Sequence, residues 1–151
     1  MLVREIIEAT NGQLLKGNFE AEVKNITQDT RNVSKGDMYA ALIGARDGHD
    51  FISQVEDIAV AVLVSKPVDT TIDNVILVED TLKALGDIAR FIREHSNVKV
   101  VGVTGSVGKT STKDMIYSVV STKYKTLKTL GNYNNHLGLP LTIFRYNDEN
   151  V

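Results

Sequence analysis

The residues best suited to chemistry stand together at 104–113, Thr-Gly-Ser-Val-Gly-Lys-Thr-Ser-Thr-Lys, directly after the apolar run 98–103. A strand feeding a glycine-bounded turn that opens a helix aims backbone N–H groups and the positive helix end at one point. That arrangement suits the phosphates of a nucleotide. Lys109 supplies a mobile ammonium for the β- and γ-phosphates, and the Thr110 hydroxyl stands where it can join a Mg²⁺ shell. The phosphate-binding set is Gly105, Ser106, Val107, Gly108, Lys109, Thr110 and Ser111. Lys109 and Thr110 carry the chemistry, and Thr110 the metal contact. Longer loops of this type have a glycine where this chain has Val103, so the loop is a shortened variant. The competing reading is an ordinary strand-to-helix turn.

Holding such a loop requires a strand at 98–103 and a helix behind it. The helix continues through 114–120, with Met115, Ile116, Val119 and Val120 expected on its buried side, and 124–127 is the next strand. Strand, helix and strand make a parallel βαβ unit. Ahead of it, Leu82, Leu85, Ala89 and Ile92 recur at helical spacing, predicting a helix capped by Asp80 or Thr81 and running to about His95.

The first half of the chain reads as a separate α/β unit. An amphipathic helix over Val3–Thr10 carries Val3, Ile6 and Ile7 on one side and ends at Asn11-Gly12. Residues 22–28 alternate like a strand. The turn Lys35-Gly36-Asp37 leads into an apolar strand at 38–43. A polar loop follows at 44–50, with Asp50 placed to cap a helix from Phe51. The runs 58–64 and 75–78 have strand length, with Lys66-Pro67 between them.

Composition agrees with two parts. Residues 1–80 hold 7 Lys/Arg against 14 Asp/Glu, and residues 81–151 hold 10 against 5. The basic second part contains the phosphate loop, as polyanion binding would want, although a chance partition of surface charge gives the same count. We therefore expect domains at 1–80 and 81–151, the boundary lying inside or just before the helix near residue 80. Only about 50 residues follow Val98, too few to complete a nucleotide-binding sheet, so the second domain is expected to be the opening of a larger one. With no cysteine there is no disulfide framework, which fits a reducing cytoplasm. No signal peptide or membrane span is visible. Aromatic residues make up 6% and no basic stripe interleaves them, which argues against nucleic acid.

Three motifs occur in order. Asp29-Thr30-Arg31 is followed by Lys35-Gly36-Asp37 and by Asp47-Gly48-His49-Asp50-Phe51; the phosphate loop is second; Gly-Asn-Tyr-Asn-Asn-His-Leu-Gly-Leu-Pro-Leu-Thr at 131–142 is third. Taken singly, the first and third read as surface turns, and a lone His49 as a structural residue. Together they resemble the Mur ligases of peptidoglycan synthesis over almost the whole chain. The Ser111-Thr112-Lys113 extension and the asparagine-rich stretch favour the member that extends the muramoyl tripeptide. One departure is Ile58-Ala59, where the family has a Gly-Ala pair.

The resemblance implies a complete N-terminal domain that binds the UDP-muramoyl precursor, through Thr30, Arg31, Arg46, Asp47, Gly48 and His49. Arginine there suits diphosphate or uracil oxygens. It implies that Asn134 and Asn135 line the cleft between nucleotide and muramoyl substrate, and that ATP and Mg²⁺ are used. The implied reaction is that of a cytoplasmic ATP-dependent ligase, joining D-alanyl-D-alanine to UDP-N-acetylmuramoyl-tripeptide through an acyl phosphate. The family's acidic Mg²⁺ ligand and dipeptide-binding domain have no counterpart here, so these 151 residues alone are expected to be inactive. Two alternatives stand beside this: a stand-alone module that binds precursor or nucleotide without ligation, and an unrelated phosphate-loop NTPase.

Overall fold

The computed structural model describes residues 1–131 and 135–151. The elements are α1 (Val3–Thr10), β1 (Gln13–Lys16), β2 (Ile26–Thr27), β3 (Met38–Ala40), β4 (Ala61–Val64), β5 (Asn74–Leu77), α2 (Thr81–Glu94), α3 (Lys109–Val120) and α4 (Gly138–Ile143). Short 3₁₀ turns cover Thr30–Asn32 and Gly48–Gln54. The chain forms two compact units, Met1–Ile88 and Ala89–Val151, which divide within α2.

In the first unit α1 begins and ends where its sequence dictates. The Glu5 carboxylate accepts the Leu2 N–H at 2.6 Å, and the Val3 and Arg4 N–H groups donate to the carbonyls of Ala21 and Phe19. These bonds satisfy donors that a helix start leaves free. Asn11 closes the helix in the left-handed region at φ 53, a conformation asparagine tolerates. Val3 and Ile6 are fully buried, and Ile7 is half-buried.

The five strands form one sheet in the order β1-β5-β4-β3-β2. β1 runs antiparallel to β5, and the other pairings are parallel. Side chains in register share a face. Tyr39, Val62 and Val75 stand in one row, with Ala41, Val64 and Leu77 two residues on. They pack with Val33, Ile52, Val55, Ala59 and Ile72. Met38, Ala40, Leu63 and Ile76 point to the other face and are also fully buried. Leu85 and Ile88 of α2 are buried, whereas Leu82 is 41% exposed. The apolar stripe of α2 therefore runs through Ala84, Leu85, Ile88 and Ala89, and Leu82, expected within it, lies outside. Among the described residues the sheet contains none beyond Leu77.

The strands are shorter than expected, because a ladder exists only where a partner stands beside it. In the second unit neither 98–103 nor 124–127 forms a strand. Both segments bond to the last two residues: Lys99 N–H donates to Asn150 O at 3.0 Å, while Asn150 N–H donates to Lys125 O at 2.7 Å and Leu127 N–H to Val151 O at 2.9 Å. These rungs are too few for a strand. α3 forms as expected, but no residue of it is buried, and Met115 and Val119 are 71% and 72% exposed. Of the side expected to be buried, Met115 and Val119 are thus exposed, and Ile116 and Val120 are only half-buried.

A buried asparagine ties the sheet to a neighbouring turn. Asn74 is 3% exposed; its Nδ2 donates to Val60 O at 2.8 Å, and its Oδ1 accepts the Asn18 N–H at 2.8 Å. Gly17 precedes that turn at φ 123, and a Cβ there would stand 2.3 Å from Asn74 Oδ1. Asn74→Ala leaves the Val60 carbonyl and the Asn18 N–H, both part-buried bonds, without this partner, at a cost of about 1–3 kcal/mol in all. Chemical denaturation of the variant is expected to show a loss of that order; a loss below about 0.5 kcal/mol contradicts this role.

Candidate functional site

Parallel strands send their C-terminal ends to one edge, the usual place for ligands on an open α/β sheet. Besides the short link from β5 into α2, three loops leave this edge. After β2 comes 28–32, after β3 comes 41–50, and after β4 come Ser65 and Lys66. They hold every expected first-unit site residue.

Asp29 caps the first 3₁₀ turn. Its Oδ1 accepts from Arg31 N–H at 3.1 Å and from Arg31 Nε at 2.8 Å, and its Oδ2 accepts from the guanidinium at 2.6 Å. The Arg31 side chain is 86% exposed. This pairing pulls the Asp29 carboxyl down to about 2 and raises Arg31. Thr30 Oγ1 donates to Gln54 Oε1 at 3.1 Å, which links the two 3₁₀ turns.

Asp47, and not Asp50, caps the second 3₁₀ turn. Its Oδ1 accepts from the His49 N–H at 3.0 Å and meets His49 Nδ1 at 2.5 Å. Capping reaches forward two residues, so the turn starts at Gly48 and not at Phe51. Ser65 N–H donates to His49 Nε2 at 3.1 Å. Nε2 is thus the acceptor, and Nδ1 carries the proton. Lys66 Nζ donates to Asp47 Oδ2 at 2.7 Å. Asp47 thereby ties the loop after β3 to the loop after β4, directly through Lys66 and indirectly through His49. Lys66 and the two His49 N–H donors hold the Asp47 carboxyl well below the usual range.

His49 and Gly48 are buried, so they shape the loop from within. A Cβ on Gly48 would meet Leu42 N at 2.7 Å and Leu42 O at 2.8 Å. Tyr39 Oη donates to Gly48 O at 3.0 Å and fastens the same point from the core. Arg46 lies exposed at the tip of the turn closed by the Gly44 N–H bond to Arg46 O. Tyr39, Gln54, Ser65 and Lys66 were not among the expected site residues. Their roles depend on partners distant in sequence, and only the Lys66-Pro67 punctuation marked the place.

In the second unit, Gly105 (φ 149) and Gly108 (φ 78) both adopt left-handed backbone, and nothing lies within 4 Å of a Cβ added to Gly108. Gly108 precedes Lys109, the first residue of α3. Ser106, Val107, Thr110 and Ser111 are exposed, and Lys109 Nζ donates back to Gly105 O at 2.6 Å. An open N-terminal turn with an ammonium beside it fits a phosphate chain. For a divalent cation the loop offers the Thr110 hydroxyl, and no metal-binding cluster of acidic or histidine side chains occurs among the described residues. Asn135 Oδ1 accepts from the N–H groups of Leu137 and Gly138, leading into α4. Asn134 lies outside the described residues. Among the described residues no helix is long and apolar enough to cross a membrane.

The Asp47 cluster makes a pH-dependent contribution to stability. A carboxyl held below its unfolded value stabilises the fold fully above the ordinary carboxylate pKa, and that stabilisation fades as pH falls below it. The gap in thermal midpoint between wild type and Asp47→Asn is therefore expected to be widest above about pH 5 and to shrink below about pH 4. A gap independent of pH contradicts the assignment.

Residues 103–151 match the Mur ligase middle domain. The chain is 43% identical over 146 residues to a UDP-N-acetylmuramoyl-tripeptide–D-alanyl-D-alanine ligase of Bacillus subtilis, a match covering 93% of this chain and 32% of that relative. A MurF crystal structure from Acinetobacter baumannii superposes with a TM-score of 0.89 at 36% identity, covering 98% of this chain and 33% of that one. A MurF ligase from Thermotoga maritima in complex with ADP gives 0.74 at 36% identity, covering 86% and 30%. The chain thus spans about a third of the length of the relatives it matches. With the three motifs in order and a mixed α/β fold that superposes on these enzymes, it is identified as a Mur ligase-family sequence.

Proposed function

We propose that this chain is the precursor-binding and phosphate-binding part of an ATP-dependent ligase that joins D-alanyl-D-alanine to UDP-N-acetylmuramoyl-tripeptide in the cytoplasm. The observation that carries this reading is the 43% identity, across 93% of the chain, to a ligase of that name. In this reading residues 1–80 are the UDP-precursor domain and 81–151 open the ATP-binding domain. Thr30, Arg31 and Arg46 face the precursor from the strand edge, and Asp47, Gly48 and His49 hold the loop that presents Arg46. Asn134 and Asn135 belong to the cleft between the two substrates.

The reaction asks little covalent work of the protein. The substrate carboxylate is ionised at neutral pH and needs no general base to attack phosphorus. The acyl phosphate so formed takes the dipeptide amine and then loses phosphate. Positioning and charge neutralisation carry the rate. Backbone N–H groups from Gly105 to Thr110 orient the phosphates, and Lys109 offsets charge on the transferred group. Thr110 would hold Mg²⁺, which supplies further neutralisation of phosphate charge when bound. Lys109 leaves its bond to Gly105 O to do this, at little cost in an exposed loop.

Lys109→Ala in a full-length ligase carrying this chain is expected to lower kcat/KM by about 10²–10³-fold, the scale for one lost transition-state contact. Its thermal midpoint should stay near wild type, because Lys109 packs in no core. Wild-type turnover with normal ATP affinity would show that the loop has been misread.

A further inference from the structure

The Ser-Thr-Lys extension that follows Thr110 ends in a lysine to which the reaction gives no role. Lys113 Nζ donates to two backbone carbonyls, Thr129 O at 2.8 Å and Gly131 O at 3.3 Å, and its side chain is only 20% exposed. The next residue of α3 holds the same stretch a second way. Asp114 Oδ1 accepts from Lys128 Nζ at 2.8 Å, and that ammonium lies 4.4 Å from the centre of the Tyr117 ring. Two adjacent helix residues thus grip 128, 129 and 131. Residues four apart on a helix share a flank, so Lys113 sits one turn behind Lys109. Gly131 turns the chain at φ 47, where a side chain would be strained.

We infer that Lys113 is a positioning residue of this ligase: its ammonium, bridging the carbonyls of Thr129 and Gly131, locks the 128–131 stretch against the flank of α3 that carries Lys109. The inference rests on the function proposed above. No residue of α3 is buried, so this grip replaces core packing as the link between the helix and that stretch. One cation on two carbonyls two residues apart fixes the orientation of the backbone as well as its distance. A neutral side chain of equal length holds neither. The Lys128–Asp114 pair is half-exposed, and it sets approach more than orientation.

The test uses a full-length ligase carrying this chain, with Lys113→Met, Lys113→Arg and the wild type compared. Lys113→Met keeps the stem and removes the charge. It is expected to lower kcat about 10–100-fold through misplacement of the stretch. ADP affinity, KM for ATP and the thermal midpoint should remain close to wild type. Lys113→Arg, whose donors can span both carbonyls, should recover most of kcat. Three results overturn the inference while leaving the functional reading intact: wild-type kcat in Lys113→Met, parallel loss of thermal midpoint and ADP binding, or equal damage from both substitutions. A wild-type protein that performs no ATP-dependent ligation overturns the functional reading, and the inference with it.

Discussion

The parallel pairing of β2, β3, β4 and β5 is the constraint on which the first unit depends. It forces each connection to return across a face of the sheet and delivers every strand's C-terminal end to one edge. It also explains the near-continuous apolar sequences of 38–41 and 61–64, since strands covered on both faces need no polar alternation. The loops that carry Thr30 and Arg31, Arg46, and Lys66 then leave from that one edge although they lie far apart in sequence. Only β1 runs the other way, on the far side of β5, away from the site loops.

Asp47 converts this shared edge into a fixed arrangement. One carboxylate serves a backbone cap, an imidazole and an ammonium, and through them joins the loops after β3 and β4. His49 is spent entirely on structure, with one nitrogen toward Asp47 and the other accepting from Ser65. Gly48 admits the chain where any side chain would strike the Leu42 backbone. The exposed arginines are thus carried on a base whose own polar groups are already satisfied. The 105–109 turn of the second unit is organised differently: its glycines supply unusual backbone angles and its lysine bonds back to the Gly105 carbonyl at the surface.

Where a feature depends on local chemistry, it was legible in the chain. α1 was placed residue for residue, because a stripe of Val3 and Ile6 ends at an Asn-Gly pair. α3 likewise starts at the Gly-Lys junction. Partner-dependent features were not legible. The runs 98–103 and 124–127 have strand character, yet residues 150–151 offer each of them too few rungs. The face of Met115 and Val119 is apolar by sequence and exposed in the fold, since burial depends on an opposing layer. Asp50 was expected to cap a turn from Phe51, but Asp47 caps it from Gly48, held there by His49 and by Lys66 from a distant loop. Asn74 gave no local signal, because its partners Asn18 and Val60 lie 56 and 14 residues away.

The central claim is that the C-terminal strand edge of the first unit receives the UDP-muramoyl precursor. Amide hydrogen exchange of a full-length ligase carrying this chain, with and without UDP-N-acetylmuramoyl-tripeptide, tests it most directly. The account predicts slowed exchange at 29–31, 43–49 and 65–66 on adding the precursor. Slowing confined to the opposite strand edge, at 34–37, 58–60 and 72–73, with those loops unchanged, would contradict it.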